Sequence, residues 1–166
     1  MTRVITKIGD VFSVAIDAKT KKYFQWVAND SKQLGSNVIR VFKKRYSTTD
    51  KIDLAEVIEE EVEFYVHCFL KAGLKLGCWQ KEGNVKQVGS VDVFFKDTDD
   101  YGHKLGEQPI KTSYNWFVWK INEEKIDVGK LEGSLQQAEI GMVMAPYMIV
   151  NRIKTGDYGL INYPGY

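Results

Sequence analysis

Hydrophobic and polar positions alternate early in this chain. Residues 10–16 place Val11, Ser13 and Ala15 on one face and Phe12, Val14 and Ile16 on the other, the period of a strand. A polar turn at Asp17–Lys22 leads to a second strand at 23–28, so 10–28 reads as a hairpin. A third strand at 38–46 completes a meander, the usual opening of a small antiparallel barrel or curled sheet.

The pattern then becomes mixed. Asp50 or Asp53 stands where it would cap a short helix near 53–58, and 50–62 stays open between helix and strand. Residues 61–70 alternate, with Val62, Phe64, Val66 and Cys68 on one side. Gly73 and Gly77 punctuate a further expected strand at 73–79, and Ser90–Phe95 reads as another. A long polar loop spans 96–113. A hairpin follows, with strands at 113–121 and 125–129, and then a short strand at 140–144. Pro146 opens a helix that carries Tyr147, Val150, Asn151 and Lys154 at helical spacing and stops at Gly156, and the tail from Tyr158 packs on the surface. The pattern predicts one α+β domain over 1–166, mostly antiparallel β, built as a curled sheet or small partly open barrel with one C-terminal helix.

Composition sharpens this picture. A chain of 166 residues can bury roughly two-thirds of its unfolded surface without a metal or disulfide staple. Aromatic content of 13% leans towards β structure. The net charge of +1 argues against a dedicated nucleic-acid binder. Charge is uneven, however: residues 1–50 carry ten Lys/Arg against four Asp/Glu, and residues 51–65 carry one Lys against six acids. Such neighbouring patches can steer a charged protein partner. Two cysteines make no disulfide framework, the first residues lack a signal-peptide core, and no run reaches membrane-spanning length. A reduced, cytoplasmic protein is the expectation.

Candidate chemistry is sparse. His67 and Cys68 are adjacent, so a strand sends them to opposite faces, and no metal or cofactor site is expected. Cys78 with His103 is the one thiol–imidazole pair worth naming for a hydrolase, with no motif around either residue. Asp97-Thr98-Asp99-Asp100 opens like a calcium loop but lacks its closing Glu. Arg40, Lys43 and Lys44 beside Phe42 and Tyr46 resemble a stacking strand for nucleic acid, or a solvated strand end. Tyr114 to Trp119 puts large rings on both faces of one strand, which requires a second layer, such as the C-terminal helix, or a partner.

Lys7-Ile8-Gly9-Asp10-Val11-Phe12, read with Tyr23 to Trp26, resembles the immunity protein 26 family of bacterial polymorphic toxin systems. So do Phe64-Tyr65, Lys75-Leu76-Gly77-Cys78-Trp79 before Gly83, and Ala145-Pro146 leading to Arg152 and Thr155-Gly156. The resemblance implies an antidote that binds a cognate protein toxin and blocks it by occlusion, with no catalysis of its own. It brings no functional residues to transfer. Charge alone places the expected contact on the acidic residues Glu59, Glu60, Glu61, Asp97, Asp99 and Asp100. The alternative is a nucleic-acid or small-ligand binding barrel using Arg40, Lys43 and Lys44.

Overall fold

A computed structural model describes residues 3–166. The opening meander is present as β1 (Asp10–Ala15), β2 (Thr20–Asp30) and β3 (Ser36–Phe42). The Asp17 carboxylate makes the first turn by accepting the N–H groups of Lys19 and Thr20, both at 2.7 Å. β3 ends at Phe42, earlier than the pattern predicts. Lys43 and Lys44 leave the ladder to reach Glu61 and Glu60, and Tyr46–Ser47 returns as β4 against the start of β2.

The open question at 50–62 resolves as a short helix, α1 (Leu54–Val57), with Asp53 Oδ1 accepting the Ala55 N–H at 2.9 Å. β5 (Val62–Cys68) pairs antiparallel with β3. The strand expected at 73–79 is instead a helix, α2 (Leu70–Lys75), followed by β6 (Gln80–Asn84) on β1. Gly73 is small because a ring needs its space. A Cβ there would lie 1.9 Å from the Trp79 indole, whose Nε1 donates to the Leu70 carbonyl at 3.0 Å.

A second sheet holds β7 (Phe94–Thr98), β8 (Trp116–Lys120) and β9 (Ile126–Gly129). The strand expected at 90–95 starts four residues later, because polar side chains are satisfied inside the sheet. Lys96 Nζ donates to the Gln136 carbonyl at 2.6 Å, and the Thr98 and Ser113 hydroxyls pair at 2.7 Å. A 3-10 turn at Gly133–Gln137 precedes the expected 140–144 strand, which is split in two. β10 (Glu139–Ile140) runs parallel to β7, and β11 (Val143–Met144) runs parallel to β5 in the first sheet. Gly141 carries the chain across beneath Trp119, whose ring lies 2.0 Å from where a Cβ would sit. α3 (Pro146–Thr155) begins at Pro146 and ends at Gly156 (φ +88°), as its sequence predicts.

The strands are mostly antiparallel and neither sheet closes, so the architecture is a curled sheet rather than a barrel. Phe12, Val14, Phe24, Ile39, Val41 and Phe64 form one face of the first sheet and bury against Ile149 and Ile153 of α3. Each such side chain is worth roughly 1.5–3 kcal/mol. The other face meets the second sheet through Val27, Val38, Phe95, Phe117 and Trp119. The aromatics on the outer face of β8 do have a second layer, but it is not α3. Leu131, Leu135 and Tyr163 of the tail cover Trp116 and Val118.

Candidate partner-binding surface

The six acidic residues fall in two separate places, the link between α1 and β5 and the end of β7 with the turn after it, and most of their carboxylates turn to neighbours. Glu60 follows α1 and accepts from Lys44 Nζ at 2.6 Å and from the Tyr46 hydroxyl at 3.4 Å, while Glu61 meets Lys43 at 3.3 Å. Asp97 on β7 accepts from the Thr98 N–H at 2.9 Å and the Tyr163 hydroxyl at 3.3 Å. Burial nonetheless pushes its carboxyl above the usual range, against those two bonds. Asp100 accepts from the Ser113 hydroxyl at 2.7 Å and Asn115 Nδ2 at 3.0 Å, shaping the loop that leads into β8. Glu59 and Asp99 are exposed and have no side-chain partner among the described residues.

The basic strand does not present the side chains that its sequence suggests. Arg40 is only 7% exposed, and its Nε and Nη2 donate to Gln25 Oε1 at 3.0 and 2.7 Å. Gln25 Nε2 in turn donates to the carbonyls of Val85 and Gln87 at 2.8 and 3.1 Å, which pins the segment after β6 over the guanidinium. Phe42 is fully buried, so no base can stack on it. Lys43 and Lys44 are spent on Glu61 and Glu60. The solvated or stacking strand that the sequence suggests fails at Arg40 because Gln87 and Gly89, after β6, lie against its guanidinium.

The residues with reactive side chains lie in structural positions. Cys68 faces the main core, where burial pushes its thiol up to about 12, and His67 faces the other way, into the joint between the sheets. There Asp30 Oδ2 pairs with His67 Nε2 and accepts from Trp119 Nε1, each at 3.0 Å. Asp30 Oδ1 accepts the N–H groups of Gln33 and Asn122, both at 3.2 Å. Burial raises the Asp30 carboxyl, but these four bonds outweigh it and hold the group below its usual range. Burial depresses the His67 imidazole, with Asp30 opposing, and His67 Nδ1 has no partner among the described residues. An ionised carboxylate can only accept, so the bond to Asp30 calls for a proton on His67 Nε2. Cys78 follows α2, His103 lies on the exposed loop after β7, and no hydrogen bond joins them.

A broad concavity lies elsewhere. An open trough of about 1010 Å3 runs between α2, α3 and the edge formed by β1 and β6. Leu74, Cys78, Trp79, Tyr147 and Val150 supply its apolar lining, and Lys154 stands on its rim. Lys81 pairs with Asp10 at 2.9 Å and donates to the Ile5 carbonyl at 2.8 Å, fastening the N-terminal segment alongside. Val4 of that segment borders both the trough and a smaller hollow beside it, where Lys71 stands. Thr6 and Lys71 continue the depression towards Phe69 and Trp26. One sequence signal pointed here. Ile149 and Ile153 are the buried face of α3, and Tyr147, half-buried Val150 and Lys154 form a second face towards the trough.

Among the described residues no helix is long and apolar enough to cross a membrane, and no cluster of three His, Cys, Asp or Glu side chains is placed to hold a metal ion. Comparison of the chain with protein-family models, with curated proteins and with solved structures finds no match in any of the three.

Proposed function

We propose that this protein is a cytoplasmic antidote that binds a cognate bacterial toxin and blocks it by occlusion, without chemistry of its own. The observation that carries the reading is the trough: a concave, apolar-lined surface on a rigid two-sheet scaffold, with Tyr147 70% exposed on its wall. Exposed aromatic anchors in concave settings are what protein interfaces use. The motifs around Lys7–Phe12 and Lys75–Trp79 support the same reading by resemblance. So does the placement of His67 and Asp30, paired at the joint between the sheets, and of Cys68, buried in the main core. Of the six acidic residues, Glu59 and Asp99 are the two whose carboxylates are available to a basic partner.

The test is co-expression with the toxin encoded by the adjacent gene. Rescued growth together with a complex that survives gel filtration is the expected result. Unrescued growth and no complex would overturn the reading. The nucleic-acid alternative loses its main support with Arg40 and Phe42 buried.

A further inference from the structure

We propose that the trough bounded by α2, α3 and the N-terminal segment is the docking surface for an acidic segment of a protein partner, anchored by apolar side chains. The proposal takes the partner's being a protein from the antidote reading; the chemistry of the segment comes from the surface itself.

Two independent features define that chemistry. The first is apolar. Single exposed hydrophobic side chains are ordinary, but Val4, Ile5, Phe69, Leu76 and Tyr147 are all exposed around one six-residue helix and its neighbours. Leu74, Trp79 and Val150 lie between them as a floor. The second is charge. Arg3, Lys71, Lys75 and Lys154 stand on the N-terminal segment, α2 and α3, and none makes an ion pair or side-chain hydrogen bond among the described residues. Lys43, Lys44, Lys120 and Lys130, by comparison, have carboxylates within 3.3 Å. Glu82 is the one acid in the trough lining; it accepts from the Ser13 hydroxyl and keeps its charge.

Arg3, Lys71, Lys75 and Lys154 therefore outnumber Glu82 around the trough, and a segment bringing carboxylates balances the excess. Concavity selects among anionic partners. A lipid surface would meet the rim and leave the floor empty, whereas a peptide can send Leu or Trp side chains into it.

The test uses the full-length protein and two fluorescent helical peptides with the same Leu and Trp anchors, one with a Glu polar face and one with Lys. The acidic peptide is expected to bind, with affinity falling as salt rises, and the basic one not to bind. Lys71→Glu, Lys75→Glu and Lys154→Glu together should weaken binding at least about ten-fold. Tyr147→Ser should weaken it by a similar factor. Glu59→Lys with Asp99→Lys should leave it unchanged.

Equal binding of both peptides would overturn the proposal. So would full affinity in the triple variant, or capture by phosphatidylserine vesicles with no peptide binding. The antidote reading fails separately. Loss of rescue in the triple variant but not in the Glu59/Asp99 variant supports the trough, and the reverse pattern overturns it while sparing the antidote. No rescue at all, with peptide discrimination intact, removes the antidote and supports the trough.

Discussion

The joint between the two sheets and the trough beside α2 handle polar side chains in opposite ways. At the joint, Asp30 takes four hydrogen bonds, from His67, Trp119, Gln33 and Asn122, and is fully buried. At the trough, Lys71, Lys75 and Lys154 point into solvent beside exposed Tyr147 and Leu76. The residues that suggest chemistry in a sequence scan, a histidine, an aspartate and a tryptophan, are spent on stability. The residues that suggest nothing, lysines and a tyrosine on helices, make the surface left over for a partner. Reactive side-chain type is a poor guide to function until its partners are known.

The difference should show first as stability. Asp30→Ala strands the Trp119 indole N–H, the His67 ring and two backbone N–H groups inside the joint. The expected cost is about 3–5 kcal/mol, read as a large drop in urea midpoint. A loss below about 1 kcal/mol would mean that Phe95, Phe117 and Trp119 hold the sheets without the carboxylate. Gly141→Ala comes next, because its Cβ would meet the Trp119 ring at 2.0 Å. Overpacking of this kind costs about 1–3 kcal/mol, and a shift in tryptophan fluorescence should accompany it. Gly73→Ala is the same test at the trough side, where the ring is Trp79 at 1.9 Å.

The joint should also respond to pH, and the trough should not. Burial holds the folded His67 pKa below its ordinary value of 6.5, so the unfolded chain takes up a proton there before the native state does. Stability contributed by neutral His67 is complete above 6.5 and is lost as pH falls from 6.5 towards the depressed folded value. The lowered Asp30 pKa adds a second acid-side loss, beginning only below its ordinary value of 3.8. Thermal melts between pH 7.5 and 5.5 should show a decline in the wild type that His67→Gln flattens. An equal decline in the variant would assign the effect to other groups.

These two regions were unequally legible in the sequence. The meander, the 116–129 hairpin and α3 follow from period, turn chemistry and a Pro–Gly bracket, all local signals. α2 was misread because Gly73 looks like punctuation until the Trp79 ring that needs its space is known. β7 was displaced because Lys96 and Thr98 read as loop residues, while their partners, Gln136 and Ser113, come from distant segments. Arg40 suggests a surface strand because charge beside aromatics says nothing of the distant segment, Val85–Gly89, that covers it. The trough draws on residues from Val4 to Lys154, so no window along the chain contains it. Its trace was the second face of α3, which sequence periodicity alone assigns to no particular role.

The smallest expected effect on stability is the most discriminating one. Lys71→Glu, Lys75→Glu and Lys154→Glu remove no hydrogen bond or ion pair among the described residues, and Tyr147 is mostly solvated already. Surface changes of this type stay within about 0.5 kcal/mol each. Melting temperature should therefore hold nearly constant across these variants while affinity for an acidic peptide collapses. At the joint the two readouts should move together, since unfolding removes every surface at once. A trough variant that loses stability as much as affinity would place those lysines in the scaffold, and the contrast between the two regions would disappear with them.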